Sequence, residues 1–245
     1  MLLSAAIASL GLSFLFALGG VGSAVALIPA LHGLGIDLSV ARPIGLLVNA
    51  MSLLGASYLN LRSGRIRLQE WVPLIGASLL VAPMGACLSL WVPERILLVL
   101  FAVFLGISGP VIFVGPSEGG KREAMPVWMQ LFWGSFSGLL SGLLGVGSGG
   151  ILIPVLCFFG FRSKRIAAIT ALVVPSASIA GFFTYAQMGA VDLKLTIVCG
   201  TLALVGGIAG TQFMNKRLSQ VAVRRLLAFL LVILSFKIVI DLFTS

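Results

Sequence analysis

Charge is what this chain has least of. Asp, Glu, Lys and Arg make up 9% of its 245 residues, against 59% hydrophobic. That is too little polar side chain to cover a water-exposed surface. No Asp or Glu falls at the centre of an apolar stretch, because Asp37, Glu70, Glu94, Asp192 and Asp241 are all peripheral. A proton relay built on a buried carboxylate is therefore not visible. His32 is the single histidine, which excludes a multi-histidine metal centre. Cys87, Cys157 and Cys199 lie inside apolar segments without Cys-x-x-Cys spacing, so they read as small packing residues rather than a disulfide or metal site. No cofactor is expected. The strict alternation of apolar and polar residues that a membrane barrel needs is missing too. Met1-Leu2-Leu3-Ser4-Ala5 carries no basic lead, so the first apolar run is expected to be retained rather than cleaved as a signal peptide.

What fills the chain instead is apolar sequence. Stretches of about twenty residues recur near 43–61, 71–91, 96–115, 166–187, 195–214 and 226–243, each able to cross about 30 Å of hydrocarbon as a helix. Backbone groups find no water there, so helices are the expected spans. The fold class is all-α, a polytopic helical membrane protein. The net charge of +9 comes from basic residues in short loops. Positive-inside topology accounts for them without nucleic acid. Trp71, Trp91, Trp128, Tyr58 and Tyr185 sit near span ends, where interface anchoring is expected, and Lys237 is placed to snorkel.

The chain also says nearly the same thing twice. Gly20-Val21-Gly22-Ser23-Ala24-Val25-Ala26-Leu27-Ile28-Pro29 returns 125 positions later as Gly145-Val146-Gly147-Ser148-Gly149-Gly150-Ile151-Leu152-Ile153-Pro154. The same ungapped offset pairs Gly35 with Gly160, Ile44 with Ile169, Gly64 with Gly189 and Gly85 with Gly210. A duplicated membrane unit broken by glycine at the same place in each copy is a transporter signature. The only plainly polar linker, 116–126, divides a first repeat at 1–115 from a second at 127–245, within a single transport domain.

Each motif segment is too long for one span and short for two. The expected solution is a hairpin: a helix over 3–18, a break at 19–22 and a shorter helix from Ser23, with the second break at 145–147. Whether the hairpin is re-entrant or crosses as two short spans stays open. If the segment turns back, twelve basic residues, from Arg62 to Arg225, share one side and only Arg42, Arg95 and Lys194 face the other. A single crossing nearly abolishes that bias. The hairpin also makes the two repeats inverted, with both termini outside.

A helix that starts at a glycine break in hydrocarbon presents unpaired N–H groups and a positive dipole end, which suits an anion. The candidate substrate-binding residues are Gly20, Gly22, Ser23, Asn49 and Ser52 in the first repeat, and Gly145, Gly147, Ser148, Thr170 and Ser176 in the second, with Ser178 beside them. Bland readings stand next to this one: glycines allow close helix packing, Ser23 and Ser148 can cap their helices, and Ser or Thr can bond its own helix backbone. Asn49 is harder to hide, since its amide needs partners in lipid. Pro29, Pro154 and Pro175 are expected to bend or loosen their helices. Arg42, just before Pro43, reads as an anion attractor at an entrance or as a headgroup contact.

The glycine motif, the Pro six residues beyond Ser23 and Ser148, and the repeated order of apolar helix, basic turn and apolar helix resemble the sulfite exporter TauE/SafE family of membrane permeases. Arg62-Ser63-Gly64-Arg65 looks like the family's basic turn, and Met188-Gly189-Ala190-Val191-Asp192 like its counterpart. The first copy departs most, with Ser23 and Ala24 where glycines are usual. The resemblance implies transport of sulfite, sulfonates or related sulfur-containing anions across a bacterial-type inner membrane. The coupling is open: passive, a co-ion such as sodium, or a proton. Two other classes compete with it. One is a non-transporting membrane scaffold. The other is an intramembrane hydrolase using Ser148 in Gly147-Ser148-Gly149, for which His32 is the only histidine base.

Overall fold

The computed structural model of the chain describes residues 2–240, apart from Gly19, Val21, Arg65, 115–123, Ala190, Leu218, Gln220 and residues 223, 224, 226, 227, 230, 231, 234, 237 and 238. Most of the polar linker, the basic residues Arg65, Lys121, Arg122, Arg224 and Lys237, and Asp241 thus lie outside the described residues. The described chain is helical. Helix α1 is Leu2–Ala17, α2 Ala24–Gly33 and α3 Leu38–Arg62; a short 3-10 turn, Leu68–Trp71, leads into α4 Val72–Leu88. Then come α5 Glu94–Val114, α6 Val127–Leu144, α7 Gly149–Phe158, α8 Ser163–Gln187 and α9 Leu193–Arg217. The described residues between 221 and 240 are helical as well.

Among the described residues, five helices are long and apolar enough to cross a bilayer: Leu38–Arg62, Leu68–Leu88, Val127–Leu144, Lys164–Gln187 and Leu193–Met214. Leu80, Phe132, Ile197 and Val205 are exposed on them, as lipid-facing positions should be. Helices α2 and α7, ten residues each, are only about 15 Å long and fall well short of a span.

The 125-residue offset survives in three dimensions. The bounds of α2 and α3 reappear, shifted by that amount, as those of α7 and α8. Gly20, Gly22, Gly35 and Gly64 have positive φ, and so do Gly145, Gly147, Gly160 and Gly189. Even the turn closing the short helix recurs. The N–H of Gly35 donates to the His32 carbonyl at 2.9 Å and that of Ile36 to Leu31 at 3.1 Å; Gly160 donates to Cys157 at 3.0 Å and Phe161 to Leu156 at 3.1 Å.

Packing repeats with an exchange of partners. Helix α1 lies along α9 and α6 along α4, while α3 and α8 contact one another and pack on α9 and α4 respectively. The close approaches are glycine contacts, as membrane helices favour. A Cβ on Gly138 would stand 2.5 Å from the Ser78 carbonyl, one on Gly142 would meet the Ala82 carbonyl, and one on Gly210 would meet that of Phe14.

Three expectations need correction. Trp71 and Tyr185 are not interface anchors: they are 1% and 3% exposed. Trp71 packs edge-on to Phe161 at 5.9 Å between ring centres. The Tyr185 hydroxyl donates to the Gly142 carbonyl at 2.9 Å and lies 2.8 Å from Ser89 Oγ. Trp91, Trp128 and Tyr58 are exposed as expected. Arg42 lies inside α3, which begins at Leu38 behind Asp37 and carries Pro43 within it. At 9% exposure its side chain is mostly covered by the bundle, which leaves little of it for a headgroup contact.

Candidate functional site

Both glycine breaks form for the same local reason. In each copy two glycines with a single residue between them take positive φ: 69° and 86° at Gly20 and Gly22, 75° and 78° at Gly145 and Gly147. Side-chain-bearing residues rarely adopt that conformation, so the chain leaves one helix and starts another there. Gly145 also closes α6, its N–H donating to the Ser141 carbonyl at 2.9 Å.

Asn49 is where the two breaks meet. It projects from the middle of α3 and is fully buried. A Cβ on Gly22 would collide with Asn49 Oδ1, and one on Gly147 with Asn49 Nδ2. Two helix starts, α2 and α7, therefore begin within a residue or two of one carboxamide. Helix geometry leaves their first-turn N–H groups without intrahelical acceptors. Asn49 Nδ2 donates to Ser178 Oγ at 2.9 Å, while its Oδ1 has no partner.

The capping serines do not cap. Ser23 and Ser148 make no side-chain bond to their own helices. Ser23 Oγ instead accepts from Ser13 Oγ at 3.0 Å. Ser148 Oγ, equally buried, has no partner, because Gly138 stands where the offset would put a second Ser13.

The other hydroxyls divide. Thr170 Oγ1 bonds its own helix at Ile166, 2.9 Å, and Ala167, 3.2 Å, yet it also lies where a Cβ on Gly20 would stand, 2.6 Å away. Ser52 is buried against Gly207 of α9, its Oγ without a hydrogen-bond partner. Ser176 donates to the Val173 carbonyl at 2.6 Å and approaches Ser78 of α4 at 3.4 Å. Neither Ser52 nor Ser176 is among the nearest neighbours of the glycine pairs; Ser178 is, 3.2 Å from a Cβ on Gly147. Sequence reasoning missed Ser13 as a partner of Ser23, and no local signal marks it. It also set Arg42 at the periphery. A Cβ on Gly145 would lie 2.8 Å from Arg42 Cβ and Cγ, and the signal for that was a cation inside an apolar run.

Serine hydrolase chemistry finds no base here. Ser148 Oγ is unpartnered, and His32 is exposed near the end of α2. Among the described residues no group of His, Cys, Asp and Glu is placed to hold a metal.

Comparison with known proteins gives the same direction as the geometry. A probable membrane transporter protein of Methanocaldococcus jannaschii is 28% identical over 107 residues, 40% of each chain. Another probable membrane transporter protein, from Bacillus subtilis, is 23% identical over 204 residues, 80% of this chain and 82% of its own. The matched part thus spans about two fifths of the archaeal relative and four fifths of the bacterial one. The profile of the sulfite exporter TauE/SafE family matches residues 5–238, nearly the whole sequence, and with it the chain belongs to that family of multi-pass membrane transporters.

Proposed function

We propose that the protein is a permease for small sulfur-containing anions, sulfite, organosulfonates or close relatives, working by alternating access at the paired breaks in a bacterial-type inner membrane. The observation that carries this reading is the contact of Gly22 and Gly147 with the same buried Asn49. Two positive helix ends converging on one polar side chain make a place for one anion. Residues 1–115 and 127–245 act as inverted repeats, so one break opens toward each side in turn. Gly20, Gly22, Ser23, Asn49, Gly145, Gly147, Ser148 and Thr170 line the site, with Ser52 and Ser176 supporting it through α9 and α4. Gly20, Gly22, Ser23 and residues 145–148 are buried in this structure, so passage requires the packing around Asn49 to open. The buried polar groups around Asn49 are amides and hydroxyls, so a coupling sodium ion would be held by carbonyl and hydroxyl oxygens and a coupling proton could travel on the substrate; passive transport is the third route.

Counterflow in proteoliposomes tests the reading. Vesicles are preloaded with sulfite, sulfoacetate, thiosulfate, sulfate or acetate, and entry of labelled sulfite is followed. Exchange confined to sulfur oxyanions and sulfonates is the expected result. Folded protein that exchanges none of them would remove the substrate class.

A further inference from the structure

We infer that Arg42 is the cationic contact of the anion site, engaging a sulfonate, sulfite or similar oxyanion from the side of the second break; this rests on the permease reading above. Arg42 is the one charged side chain buried among the described residues. It has no acidic partner within ion-pair distance among them. A cation held inside a membrane bundle without a counter-ion is costly, and such residues mark substrate pathways.

Its neighbours place it. The Gly145 backbone packs on Arg42 Cβ and Cγ, two residues before Gly147 meets Asn49. Asn49 itself lies seven residues further along α3, two turns on and on the same face, about 10 Å up the axis. The break thus runs from the arginine to the carboxamide, with the unpartnered Ser148 hydroxyl at its end. The Tyr185 hydroxyl, fixed to the Gly142 carbonyl, lies close enough to interact with the guanidinium.

A purely structural role is a poor account of this residue. The offset equates Arg42 with Ala167, and Ala167 packs on Gly20 as Arg42 packs on Gly145. The same break is therefore built in the first copy with an alanine. The guanidinium is not needed to build the break, and its planar fork of donors suits an oxyanion. It makes the two ends of the pathway unequal, charged beside Gly145 and neutral beside Gly20.

The test compares wild type with Arg42→Gln and Arg42→Lys in the counterflow assay, together with the rise in melting temperature that sulfite produces in detergent. The expected result for Arg42→Gln is a half-saturating concentration raised by roughly 10–100-fold and loss of the sulfite-dependent melting shift. For Arg42→Lys, which keeps the charge but not the fork, a smaller rise is expected. Folded Arg42→Gln with wild-type half-saturation and melting shift would overturn the assignment while leaving the permease reading intact. Absence of exchange in folded wild type would instead remove the sulfur-anion substrate class, and with it this assignment. Should Arg42→Gln fail to fold, Arg42→Lys carries the test, and an unchanged half-saturation there overturns the proposal.

Discussion

The two glycine breaks share a backbone and differ in their side chains. At the first, Ser23 is held by Ser13 and Gly20 faces Thr170 and Ala167, so the neighbours are neutral and their hydroxyl donors are engaged. At the second, Ser148 is unpartnered and Gly145 faces a buried arginine. Duplication preserved what the backbone demands, two positive-φ glycines and a short helix, while the side chains around each break diverged. On the proposed reading, the first copy is the braced end and the second the recognising end.

The strongest way to break the comparison is to make either end rigid in the wrong place. Gly22→Ala and Gly147→Ala each force a Cβ into positive φ and onto Asn49, which should cost about 2–5 kcal/mol. Both are expected to lose counterflow and to melt early in detergent. If one of the pair transported normally, the two breaks would not be equal partners around Asn49.

A weaker effect sharpens why the copies differ. Gly138→Ser would restore to the second copy the partner that Ser23 has in the first. Its Cβ, however, lands 2.5 Å from the Ser78 carbonyl across the α4–α6 contact. The expected outcome is a loss of about 1–3 kcal/mol from overpacking, seen as a lower denaturation midpoint. A stabilised variant would mean that α4 and α6 can move apart cheaply.

The smallest effect separates the serines. Ser23→Ala breaks a buried hydrogen bond and should cost about 1 kcal/mol. Ser148→Ala removes a hydroxyl with no partner and should lie within about 0.5 kcal/mol of wild type. Both should slow flux, so thermal melts and counterflow on the same preparations distinguish bracing from recognition. Equal losses of stability would show that Ser148 has a partner after all.

Much of this was legible beforehand for local reasons. Hydropathy locates helices because lipid offers backbone groups no other partner, and paired glycines locate the breaks because only they accept the required φ. The helix expected over 3–18 spans Leu2–Ala17, and the second break, expected at 145–147, lies between Leu144 and Gly149. Hydroxyl direction was not legible. Ser52, Ser176 and Ser178 are similar residues on apolar helices, yet they face α9, α4 and the second break respectively. Tyr185 and Trp71 looked like anchors because both lie near the ends of apolar stretches. Burial is set by which neighbouring helix covers an end, and composition does not encode that.

By itself, then, the sequence determined an all-helical membrane protein, its duplication and the residues at which two helices must restart, since each depends on hydropathy or on one residue's allowed φ. The tertiary structure decided that both restarts meet at Asn49, that Arg42 is enclosed beside Gly145, and that one serine is bonded while its twin is not. Those outcomes depend on how helices rotate to bring glycine faces together across the two halves, a choice made by long-range packing rather than by any local stretch of chain.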